Sequence, residues 1–145
     1  MLEKRRFYID GHWTDPAGGA PFEVVDPSTE EAFATISLGG AADTDRAVDA
    51  ARRAFEGWMF TPPAERVALI RRLHDIYESR MDEMAETISR EMGAPIDMAR
   101  AQQAPAGLGH IRGFLRAMED FAFERPLGPH APETRILMEP VGVCA

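Results

Sequence analysis

Glu139-Pro140-Val141-Gly142-Val143-Cys144-Ala145 closes the sequence and reads as the beginning of a buried strand. Beyond Pro140 the residues are apolar or small with no polar alternation, the pattern of a strand covered on both faces as in a parallel sheet. The expectation is that 141–145 starts a strand and that the sequence stops inside it. Within that strand Cys144, between Val143 and Ala145, is expected to be a small core filler rather than a nucleophile.

Upstream, Arg125-Pro126-Leu127-Gly128-Pro129-His130-Ala131-Pro132 reads as a stiff connector, followed by a strand from Thr134 to Glu139. Before it, 43–123 reads as helical. Asp43 suits an N-cap, and Val48, Ala51, Phe55 and Trp58 share one helix face, which is expected to be buried. Thr61-Pro62-Pro63-Ala64-Glu65 announces a second helix, with Thr61 as cap and Pro62 at the first helical position. Its stripe of Ile70, Leu73 and Tyr77 continues in phase through Met81, Met84, Ile88 and Met92, as one helix or as two broken near Ser79 to Asp82. Gly93 and Pro95 stop it. A further helix between Ile96 and Phe123 carries Leu108, Ile111, Leu115 and Met118, with Pro105, Gly107, Gly109 and Gly113 arguing against its first half. Residues 1–40 read as two hairpins: Phe7 to Ile9, Trp13, Phe22 to Val25 and Phe33 to Ser37, punctuated by Asp15-Pro16-Ala17-Gly18-Gly19 and Asp26-Pro27.

The chain has 145 residues, 45% hydrophobic and 28% charged, the composition of an ordinary globular domain. No run approaches the ~20 apolar residues that a bilayer requires, so no membrane partner is expected. A net charge of −8 repels polyphosphate, which argues against nucleic acid. The start Met1-Leu2-Glu3-Lys4-Arg5-Arg6 lacks the apolar stretch of a signal peptide, and a single cysteine fits a reducing compartment; a cytoplasmic location is expected.

Chemistry is sparse. The histidines at 12, 74, 110 and 130 show no paired-ligand spacing, and no Gly-x-Gly-x-x-Gly follows a strand. Asp82, Glu83 and Glu86 have the spacing of a solvated helix face.

Four segments carry a resemblance. Phe7-Tyr8-Ile9-Asp10-Gly11-His12-Trp13, Asp26-Pro27-Ser28-Thr29, Glu91-Met92-Gly93-Ala94-Pro95 and Glu139-Pro140-Val141-Gly142-Val143 resemble, in order, motifs of the N-terminal quarter to third of an aldehyde dehydrogenase. Three departures are mild: Asp26 stands where the family usually has Asn, Glu30 where it has Gly, and Ala94 where it has Lys. The resemblance implies an α/β fold in the complete protein, with this part supplying N-terminal hairpins, helices, an oligomerisation strand or hairpin over 125–139, and the first strand of the cofactor domain from 141. It implies oxidation of a small-molecule aldehyde to a carboxylic acid with NAD or NADP, in a homo-oligomer. The family's nucleophilic cysteine, general base and dinucleotide-binding glycines fall outside these residues. The resemblance therefore implies no catalytic residue here, no cofactor binding by this chain alone, and no turnover by it. It does imply Gln102 and Ala106 at the mouth of a substrate tunnel, and Val24, Val25 and Glu91 at a monovalent-cation site built from carbonyl and carboxylate oxygens. Two alternatives stand beside it: a non-catalytic truncated interaction or oligomerisation module, and an unrelated helical regulatory module.

Overall fold

The computed structural model describes residues 1–144. Phe7–Ile9 (β2) and His12–Thr14 (β3) form a hairpin whose two-residue Asp10-Gly11 turn has positive φ at both positions, the geometry that matches strand twist. Pro21–Asp26 (β4) pairs antiparallel with Glu31–Ser37 (β5), with a register shift at Val24/Val25. Both expected hairpins are present. An additional strand, Leu2–Lys4 (β1), runs parallel to β5 and gives the sheet order β1-β5-β4. The charge of this opening hides a short strand.

Helix α1 spans Ala41–Trp58 and is capped by Gly40, not by Asp43. Asp43 is buried at the third helical position, where its carboxylate accepts hydrogen bonds from the Gly40 N–H at 3.0 Å and the Ala17 N–H at 2.8 Å. A carboxylate there satisfies an orphan amide and also holds the preceding turn. The expected stripe is only half-buried at Val48, Ala51 and Phe55, and Trp58 remains 47% exposed.

Helix α2 begins at Pro63 with Pro62 as cap, one residue later than expected, and ends at Ser79. Helix α3 (Met81–Met92) follows after Arg80, so the continuous apolar phase resolves into two helices. Gly93 ends α3 in the left-handed conformation at φ 73. A Cβ at Gly93 would stand 2.8 Å from Pro27 Cγ, so glycine is required for space as well as for φ.

The stretch suspected of breaking is helical throughout: a short turn Ile96–Met98 (α4), a π segment Ala99–Gln103, and Ala104–Ala117 (α5). Pro105 accounts for the π segment. In a regular α-helix its ring would strike the carbonyl four residues back, at Ala101, and widening the preceding turn relieves that clash without ending the helix. Leu108 and Leu115 are buried and Ile111 and Met118 half-buried, as their spacing predicts.

Glu124–Gly128 (β6) and Ala131–Leu137 (β7) form a hairpin, so the strand begins before Thr134 and the connector is itself paired. Val141 to Cys144 form no strand here, and the Ala145 end of that expectation lies outside the described residues. Strands form by pairing, and no partner strand is present among the described residues. Cys144 is accordingly exposed, not buried.

The core is made of small residues. Ala85, Ala99 and Ala104 cluster where α3, the π segment and α5 meet, with Met81 and Ile88 against them. Among the described residues no large side chain is fully buried, while Phe60 and Val141 are 77% and 97% exposed. None of the described helices is long and apolar enough to cross a membrane.

Candidate functional site

The π segment carries Arg100, Gln102 and Gln103, and the first turns of α5 carry small residues. Gln102 and Ala106 lie four residues apart on one helix face and are both exposed. That face continues through Gly109 and Gly113, beside which a Cβ would meet nothing within 4 Å. The result is an open strip of small and amide side chains.

Gln103, which the sequence reading passed over, is the more constrained amide. Its Nε2 donates to Met92 Sδ at 3.5 Å, while its buried Oε1 has no hydrogen-bond partner. A buried carbonyl oxygen without a donor is costly unless water or another group satisfies it. The signal available in the sequence was Pro105, whose demand for a wider preceding turn decides where Gln102 and Gln103 point. Tyr77 fixes the same region from α2 by donating its hydroxyl to the Ala104 carbonyl at 2.9 Å.

The second group of expected residues spans two elements. Val24 is half-buried and Val25 exposed, on either side of the register shift in β4, where an extra residue takes backbone groups out of the ladder. Glu91 is exposed near the end of α3, which packs against β4. Arg90, its neighbour, stacks over the Phe33 ring at 4.3 Å and holds α3 to β5. The elements carrying Val24, Val25 and Glu91 are therefore adjacent. Among the described residues no three His, Cys, Asp or Glu side chains cluster as a metal site, so any cation here would rely on main-chain oxygens.

His74 belongs to neither group. Arg112 donates through Nε to His74 Nε2 at 3.0 Å and through Nη2 to Glu78 at 2.8 Å. A guanidinium only donates, so Nε2 accepts and Nδ1 carries the proton toward Asp75, 3.0 Å away. This network ties α2 to α5. Elsewhere, the Asp26 carboxyl is held below its ordinary range by the Ser28 side chain and backbone N–H, and Glu83 by the Arg80 guanidinium. Both are local turn or helix contacts.

Comparison with known proteins aligns with this arrangement along nearly the whole chain. The model of the aldehyde dehydrogenase family matches residues 13–145. A 3-succinoylsemialdehyde-pyridine dehydrogenase of a Pseudomonas species is 45% identical over 99% of this chain and 30% of its own length. An aldehyde dehydrogenase structure from Bartonella henselae superposes with a TM-score of 0.87 at 50% identity, over 89% of this chain and 27% of that one. A mutant aldehyde dehydrogenase C from Pseudomonas syringae, complexed with NAD+ and octanal, gives 0.82 at 44% identity, over 86% of this chain and 26% of that one. The chain thus spans under a third of the length of these relatives.

Proposed function

We propose a function from one premise: this chain belongs to the aldehyde dehydrogenase family. It forms the N-terminal part of an α/β oxidoreductase that converts an aldehyde to a carboxylic acid, with water supplying the added oxygen and NAD or NADP accepting the hydride. The observation that carries this reading is the match to solved aldehyde dehydrogenases at 44–50% identity through hairpins and helices alike. The octanal and NAD+ bound by one of those relatives support an aliphatic aldehyde and a nicotinamide cofactor.

The residues of this chain do not fit a dinucleotide cradle: Leu38-Gly39-Gly40 joins β5 to α1, but among the described residues no Gly-x-Gly-x-x-Gly sequence opens a helix after a strand, so no step through the cofactor is assigned to them. Their contributions are binding and support. Gln102 and Ala106 line the mouth through which the aldehyde passes; the small side chain leaves width, and the Gln102 amide offers hydrogen bonds to a polar substrate group. Val24 and Val25 carbonyls with the Glu91 carboxylate fit a monovalent cation, which when bound would neutralise Glu91 and clamp α3 to β4. The β6–β7 hairpin and the sequence through Glu139 join one subunit to another, and Val141 onward enters the cofactor sheet. Cys144 takes no catalytic part, and the cytoplasm suits a chain with one free thiol.

The test is formation of reduced nicotinamide by the complete enzyme containing this chain. It should require both aldehyde and NAD(P), and Cys144→Ala should leave the rate within a few-fold. No aldehyde-dependent reduction across short, long and aromatic aldehydes would refute the reading and favour a non-catalytic interaction module.

A further inference from the structure

One hydroxyl makes a close contact between α2 and the widened turn that carries Gln102. Tyr77 Oη donates to the carbonyl of Ala104, a fully buried residue whose own N–H closes the π segment by bonding the Ala99 carbonyl. The hydroxyl reaches that carbonyl only because residue 107 is glycine. A Cβ there would stand 2.5 Å from Tyr77 Oη and 2.9 Å from its Cζ. Tyr77, Ala104 and Gly107 thus form a knob, an anchor and a notch.

A π segment inside a helix is a soft place. Its hydrogen bonds can revert toward the α-pattern, and each residue of register lost turns the following face by about 100°. Pro105 cannot supply an amide to resist this. The Tyr77 bond fixes Ala104, the first residue beyond the π segment, against a separate helix. Ala99 and Ala104, both packed on Ala85, hold the two ends of the turn but leave its polar residues outside. The position of Gln102 and Ala106 therefore depends on a contact that neither of them makes.

We propose that Tyr77 is a positioning residue for aldehyde selection: its hydroxyl, seated in the Gly107 notch, latches the π segment and so sets where Gln102 and Ala106 stand at the substrate mouth. The assignment rests on the reading of that helix face as the mouth. It adds a determinant of specificity that touches no substrate.

Tyr77→Phe in the complete enzyme tests it, since the ring still fills the notch and only the bond is lost. Gly107→Ala, which displaces the hydroxyl, is the second variant. Amide exchange of Gln103, Ala104 and Ala106 to Leu108 should accelerate about fivefold in both, the equivalent of one neutral hydrogen bond. KM for a bulky aldehyde should rise by about the same factor with kcat within about twofold, while a two-carbon aldehyde is unaffected. Unchanged exchange would overturn the latch. Faster exchange with equal effects on both aldehydes would overturn the positioning role. An unsubstituted enzyme that oxidises no aldehyde would instead refute the functional reading, with the exchange result still judging the latch.

Discussion

Gly93 and Pro27 meet so closely that a single added carbon at Gly93 would lie 2.8 Å from Pro27 Cγ. This contact seats the end of α3 on the β4–β5 turn, beside the register shift at Val24/Val25. Gly93→Ala should destabilise the protein by about 1–3 kcal/mol, from left-handed strain plus the displaced proline ring. Gly93→Asn, which tolerates the left-handed region but keeps the Cβ, should recover only part of the loss. Denaturant melts of both variants check this, and a neutral Gly93→Ala would contradict the contact.

The same junction holds the proposed cation ligands. Potassium should raise the thermal midpoint relative to choline at equal ionic strength, and Glu91→Gln should remove that increment. An equal increment in the variant would exclude Glu91 as a ligand.

Asp43 links acid stability to the fold. Backbone N–H groups of Ala17 and Gly40, with the Arg46 guanidinium at 2.6 Å, hold its carboxyl below the usual 3.8. A folded-state value below the unfolded one means stabilisation that is complete above the unfolded value and lost as pH falls through the folded one. Asp43→Asn should therefore lower the urea midpoint by a constant amount at neutral pH, and the gap to the parent should close below pH 3.8. A gap that persists into strong acid would show that the carboxylate charge is not what matters.

Much of this was legible in the sequence because the deciding interactions are local. The Asp10-Gly11 turn, the Gly93 stop and the Leu108–Leu115 stripe each follow from a few adjacent residues. Three features were not. The strand at Leu2–Lys4 depends on β5, some 30 residues away, and its charged side chains conceal it. Pro105 reads as a helix breaker, yet the helix absorbs it by widening one turn, and with that the importance of Gln103 and Tyr77 was hidden. Cys144 and the Trp58 face were expected to be buried because apolar runs imply cover, but burial is a property of what packs on them.

Association should run through the β6–β7 hairpin. Leu137 and Met138 are 57% and 52% exposed, whereas Ile136 is half-buried, so the first two are the ones available to a partner. An isolated two-stranded hairpin is marginal in water, and an apolar edge invites pairing. Replacing Leu137 and Met138 by Lys should reduce the sedimenting mass at tens of micromolar. An unchanged mass would place the interface elsewhere.

The central claim is that the exposed face of the π segment and α5 selects the aldehyde. Its most direct test is kcat/KM of the complete enzyme with Ala106→Phe, measured for a two-carbon aldehyde and for a bulky aromatic one. The account predicts a loss of about tenfold or more for the bulky substrate and near-parity for the small one, the size of effect expected when a side chain obstructs an apolar passage. Equal losses for both substrates, or none for either, would contradict it.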